Sequence, residues 1–290
     1  MDANLNLWQT VALAAAQGIT EFLPVSSSGH LVLLRKIFGW SDQGGLVFDT
    51  VLHGGSLAAI LIYFWREWLA IFRAYLSKQA ILEIGKSPAF GGSASGGKIA
   101  NCDTAYYRRL PWLVAVATIP VVIAGPVLKP LVENDAIVRN ASITGLSMIM
   151  TGLLFILAER RKPAGEKPVG FLNALFIGCM QIVALLPGAS RSGWTTAGGI
   201  FCGQRRENAV RFAFLMAVPA IAGAMIFEAK DILGSLQTNI NPVLILAGFA
   251  VSFTTSLAAI HFCIKFFRIH SLVPFAIYLM LVGFVSLFLK

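Results

Sequence analysis

The sequence predicts an all-α polytopic membrane protein built as an inverted-topology repeat, each half a re-entrant helical hairpin plus three transmembrane helices. Three observations lead there. The 290-residue chain is 57% hydrophobic and only 13% charged, against about 45–50% and about 25% for a soluble domain. Its uninterrupted apolar runs reach the roughly 20 residues that a membrane crossing requires. Two other apolar regions are cut in the middle by a proline and restart on small hydroxylated residues.

Region 5–38 comes first and is broken at Pro24. Proline removes a backbone donor and ends the helix before it, and each piece is too short to cross alone. The region therefore reads as a hairpin that dips in and returns. Runs 47–65, 110–130 and 141–159 complete a first half, 1–163. Region 169–203, broken at Pro187-Gly188, opens a second half, 164–290, and runs 207–228, 241–264 and 270–289 follow it.

Basic residues orient the spans. Segment 66–109 holds Arg66, Arg73, Lys78, Lys86, Lys98, Arg108 and Arg109, and segments 160–168, 204–211 and 265–270 are also basic. Segments 131–140 and 228–241 carry Glu133, Asp135, Glu228 and Asp231 instead. Placing the basic loops in the cytoplasm alternates correctly across all six spans, with Arg35-Lys36 the exception on the outer side. The first hairpin then enters from the outer face and the second from the inner face. Pro24 and Ser27 recur 163 residues later as Pro187 and Ser190, an echo of the two halves. Broken helices related by such a repeat place the working site near the bilayer midplane.

The net charge of +9 belongs to these loops, and no nucleic-acid-binding motif accompanies it. Asp2, with no Lys or Arg before the run Leu7–Ala16, does not make the basic start of a cleaved signal peptide. Cys102, Cys179, Cys202 and Cys263 have no paired spacing, so neither disulfides nor a zinc site is signalled. Gly85–Gly97 reads as a flexible Gly/Ser-rich loop.

Carboxylate, histidine, arginine and hydroxyl groups at membrane depth are functional candidates, because each is expensive there unless paired or wetted. Gln17 and Glu21, four apart, share one helix face. Ser26 or Ser27 then caps the next helix, whose N-terminus suits a phosphate. Ser190 repeats this placement in the second tip, and Arg191 adds a fork of charged donors. Glu21 fits beside Arg191 or beside a divalent cation bridging carboxylate and phosphate. Within such a pocket Ser27 is the candidate nucleophile, with His30 one turn on as proton acceptor or donor. Alternatively Glu21 activates Ser27 or a water and His30 protonates the leaving group; the sequence does not separate the two. Ser26, Ser28 and Ser192 read equally as helix caps, Thr195 as a phosphate or backbone partner, and His53 as a capping or packing residue as readily as a catalytic one.

These residues resemble the undecaprenyl-diphosphate phosphatases, the bacitracin-resistance membrane family. Its first motif, (Glu/Gln)-x-x-x-Glu followed by Pro-Val-Ser-Ser-Ser-Gly-His, is matched by Gln17, Glu21, Pro24 to Ser28, Gly29 and His30. Its second, Pro-Gly-x-Ser-Arg-Ser-x-x-Thr, is matched by Pro187, Gly188, Ser190, Arg191, Ser192 and Thr195. The resemblance implies hydrolysis of undecaprenyl diphosphate to the monophosphate and phosphate, which recycles the lipid carrier of peptidoglycan synthesis. It also implies a divalent cation (Mg²⁺ or Ca²⁺), a bacterial inner-membrane location and a homodimer. Glu21, Ser27, His30 and Arg191 would form the catalytic core. Gln17, Ser26, Ser28, Gly188, Ser190, Ser192 and Thr195 would contact substrate, and Glu21 would also hold the metal. Many relatives carry Glu where this chain has Gln17, so Glu21 alone supplies an anion. The first hairpin carries Glu21, Ser27 and His30, which favours access from the outer side. Inverted repeats are also transporter architecture, so a polyprenyl-phosphate or anion carrier using the same site is the rival reading.

Overall fold

The computed structural model describes residues 6–40, 45–76, 99–132, 140–161, 169–234 and 241–289, all helix and connecting turns. The helices are α1 (Leu7–Phe22), α2 (Ser27–Phe38), α3 (Gly45–Tyr63), α4 (Trp65–Leu76), α5 (Ile99–Val132) and α6 (Ala141–Glu159). They continue as α7 (Phe171–Val183), α8 (Arg191–Phe201), α9 (Arg206–Gly234), α10 (Pro242–Phe266) and α11 (Val273–Ser286). The Gly85–Gly97 loop lies outside the described residues.

Both interrupted regions are broken where the prolines require. Asn6 and Gln9 start α1 with a reciprocal capping box. Leu23, just before Pro24, is extended, as the residue preceding a proline prefers to be. α2 restarts at Ser27 and ends on Gly39 in the left-handed conformation. In the second region α7 stops at Val183, before Pro187, and the chain turns through Ala189 to α8.

The six expected spans need two corrections. Among the described residues, four helical stretches are long and apolar enough to cross: Ala105–Leu128, Ala141–Glu159, Arg206–Glu228 and Pro242–Phe266. The expected span 47–65 is instead a bent pair, Val47–Tyr63 and Trp65–Tyr75, turned by 61° at the break. The turn sends Glu67 of α4 into the interior, 3.6 Å from Arg211 of α9. The expected span 270–289 shrinks to the 14 residues of α11, about 21 Å at 1.5 Å per residue. Pro274 in its first turn fixes the start. Arg35, the misplaced cation, sits in a two-pronged pair with Asp49 at 2.9 and 2.5 Å.

Small residues let the helices close. A Cβ on Gly18 would lie 2.0 Å from Thr255 Oγ1 and 2.5 Å from the Ser252 carbonyl, so α1 lies directly on α10. α7 packs on α5, α6 on α11, and α3 on both α9 and α10. The core between them is filled by Phe22, Phe64, Phe155, Phe212 and Phe214. Large apolar side chains such as Val122, Ile123, Val127 and Leu172 remain on the outer surface. A water-facing surface would not carry so many, whereas acyl chains suit them.

Candidate active site

The two helix breaks meet. Cα of Gly188 lies 3.1 Å from where a Gly29 Cβ would stand, and the Ser192 hydroxyl donates to the Leu23 carbonyl at 3.2 Å. Gly188 is required there by shape. Its φ is +86°, and an added Cβ would fall 2.2 Å from the Thr144 carbonyl of α6.

Ser26 is the cap of α2: its hydroxyl accepts from the Gly29 N–H at 3.2 Å. Ser190 does the same for α8, accepting from the Gly193 N–H at 3.1 Å. Ser26 and Ser28 hydroxyls lie 3.4 Å apart, and those of Ser190 and Ser192 lie 3.3 Å apart. By these bonds Ser190 corresponds to Ser26, not to Ser27, which corrects the sequence echo by one residue. The counterpart of Ser27 is then Arg191, each being the first residue of its helix.

Those two first residues clasp one carboxylate. Ser27 Oγ donates to Glu21 Oε2 at 2.6 Å, and Arg191 Nη2 pairs with Glu21 Oε1. Gln17 Nε2 also donates to Oε2, at 2.9 Å. Glu21 is 7% exposed and Gln17 fully buried. A buried carboxylate is tolerated because a cation and two neutral donors occupy three of its acceptor positions. Two atoms stay unmatched: Gln17 Oε1 and Arg191 Nη1 are buried without a hydrogen-bond partner. The first N–H groups of α2 and α8 add uncapped donors at the same junction.

The other expected residues fall around this centre. Thr195 gives its proton to the Arg191 carbonyl at 2.8 Å, so in this arrangement it is no donor to a phosphate. Ser28 is exposed beside the cap. His30 does not hydrogen-bond Ser27. Its Nδ1 meets the Ser26 carbonyl and its Nε2 the Tyr278 hydroxyl, each at 2.7 Å.

The histidine that does face the carboxylate is His53, whose Nε2 lies 3.8 Å from Glu21 Oε2. Its Nδ1 is held by the Asp49 carbonyl at 2.8 Å, and Asp49 by Arg35. The sequence leaves His53 open between a capping or packing residue and a catalytic one. The Asp49–His53 spacing of one helical turn was visible, but its meeting with α1 was not. A separate cavity of about 520 Å³ between α4, α5 and α9, lined by Trp68, Leu110, Val122 and Leu215, is apolar and contains none of these residues.

Fold and site together define a multi-pass membrane protein with a buried polar cluster at paired helix breaks. The chain belongs to the bacitracin resistance protein BacA family, whose model matches residues 10–285. That family is one of undecaprenyl-pyrophosphate phosphatases, membrane hydrolases of bacterial cell-wall synthesis. The match spans both motifs and His53.

Proposed function

We propose that this chain hydrolyses undecaprenyl diphosphate to undecaprenyl phosphate and inorganic phosphate at the Glu21–Ser27–Arg191 centre. The observation that carries the reading is the single carboxylate bonded to both Ser27 and Arg191. A hydroxyl donating to a carboxylate is ready to lose its proton as its oxygen attacks phosphorus. Arg191 retains Nη1 for a phosphoryl oxygen, and two helix N-termini add donors for the remaining charge. Ser27 attacks, the anhydride bond breaks, undecaprenyl phosphate leaves, and water then releases phosphate from Ser27. Proton movement runs through Glu21, with His53 next to it.

The residues fit a divalent cation held mainly by its substrate. Among the described residues no cluster of three His, Cys, Asp or Glu could form a cage. Glu21 and the unmatched Gln17 Oε1 supply two oxygens, which suits Mg²⁺ bound through one carboxylate, diphosphate oxygens and water. When bound, it would offset charge on the diphosphate.

The inverted repeat, 1–163 against 164–290, is supported by one correspondence in the packing. Exchange of α1 with α7 and of α10 with α5 turns the α1–α10 contact into the α7–α5 contact. The reading keeps basic loops cytoplasmic in the inner membrane, with the site reached from the outer side. It also keeps a homodimer, which cross-linking in native membranes tests.

Detergent-purified protein should release phosphate from undecaprenyl diphosphate, and chelator should suppress it. Lipid binding without phosphate release would overturn the hydrolase in favour of the carrier.

A further inference from the structure

Tyr278 is singled out by nothing in the sequence, which offers His30 either as the proton partner of Ser27 or as the acid for the leaving group. Their geometry gives both a different task. Ser26 is the one non-glycine with positive φ among the described residues, at +72°. That is a sparsely populated conformation for a residue with a Cβ. Its carbonyl accepts twice from His30, from the backbone N–H at 3.2 Å and from ring Nδ1 at 2.7 Å. A carbonyl only accepts, so Nδ1 carries the proton and Nε2 has the lone pair in the neutral ring. Tyr278, on α11 and 248 positions away, meets that Nε2 at 2.7 Å. The two rings lie nearly parallel, 4° apart in plane, with centroids at 5.7 Å.

We propose that Tyr278 is a positioning residue for the hydrolysis described above: it locks His30 as a neutral brace on the Ser26 carbonyl. The brace holds the strained cap of α2, and the strained cap delivers Ser27 to Glu21. His30 in this role does not exchange a proton with Ser27. Both of its ring nitrogens are already engaged, and no hydrogen bond joins it to Ser27. The inference rests on the phosphatase reading for its kinetic effect, but the His30–Tyr278 bond is testable without turnover.

The substitutions are Tyr278→Phe, His30→Asn and His30→Gln. Phenylalanine keeps the ring and loses only the hydroxyl. Asparagine places an amide N–H near the position of Nδ1, whereas glutamine places it near Nε2. Tyr278→Phe should lower kcat on undecaprenyl diphosphate about tenfold, the worth of one hydrogen bond, with KM unchanged and both limbs of the pH–rate profile in place. His30→Asn should keep at least about tenfold more activity than His30→Gln, also with both limbs in place. The double variant His30→Asn/Tyr278→Phe should lose no more than its worse single parent. Loss of the neutral-pH limb in His30→Asn, or wild-type kcat in Tyr278→Phe, would overturn the brace. Thermal unfolding of wild type, Tyr278→Phe, His30→Asn and their double adds an activity-independent arm, because asparagine leaves nothing at the Nε2 position to meet the tyrosine hydroxyl. Non-additive shifts support the bond and additive shifts overturn it. If wild type releases no phosphate, the phosphatase reading is what fails, and the unfolding cycle still decides the brace.

Discussion

Arg191→Ala isolates the interaction on which the site depends. The Glu21 side chain is 6% exposed and that of Arg191 18%, so solvent screening relieves the pair little. Removing one partner of a buried pair costs about 3–5 kcal/mol, because the other charge is left uncompensated. Glu21 would keep its bonds from Ser27 and Gln17 but lose the one cation that hydrogen-bonds it among the described residues. At about 2–4 °C per kcal/mol for chains of 150–250 residues, the unfolding midpoint should fall by roughly 6–20 °C. Adding Glu21→Gln removes the stranded charge, so the double variant should recover part of that loss, with a coupling of about 1–3 kcal/mol. Tryptophan fluorescence in detergent at fixed lipid concentration reads the transition. Trp194 lies on the helix that begins at Arg191 and is anchored by its Nε1–H to Thr151 at 3.0 Å. An Arg191→Ala midpoint within about 2 °C of wild type, or strict additivity in the double, would refute the reasoning.

Three other substitutions follow from the same geometry. Gly188→Ala places a Cβ against the Thr144 carbonyl at a φ of +86°; it should destabilise by more than about 2 kcal/mol and abolish phosphate release, as read by thermal melts and turnover. His53→Gln removes the ring nitrogen 3.8 Å from Glu21 Oε2, and kcat should fall at least about tenfold with KM unchanged in steady-state assays. Gln17→Glu replaces the amide bonded to Glu21 with a second carboxylate, and a Mg²⁺ titration of turnover should half-saturate at about tenfold lower cation concentration.

Local signals carried the sequence reading well. Pro24 and Pro187 marked both helix breaks, and Gln17 and Glu21 do share a face. Runs 110–130, 141–159, 207–228 and 241–264 correspond to continuous helices. The bend after Tyr63 was hidden because Phe64 and Trp65 continue the apolar run, and hydropathy does not register a 61° turn. The span at 270–289 was over-read because Leu272 before α11 and Leu287, Phe288 and Leu289 after it extend its apolar run. The capping echo was misaligned by one because three consecutive serines follow Val25, and any of them could cap. Only the bond from Gly29 N–H distinguishes Ser26. Tyr278 was missed, and His53 left between packing and catalysis, for a different reason: each meets its partner across a large sequence separation, where spacing along one helix carries no information.

The central claim is that Ser27 and Glu21 act as one unit. Single-turnover phosphate release from undecaprenyl diphosphate, measured for wild type, Ser27→Ala, Glu21→Gln and the double variant, tests it most directly. The account predicts that each single variant loses about 10²–10⁴ in rate and that the double loses no more than the worse single. Ser27→Ala turning over near the wild-type rate, or losses that multiply in the double, would contradict it.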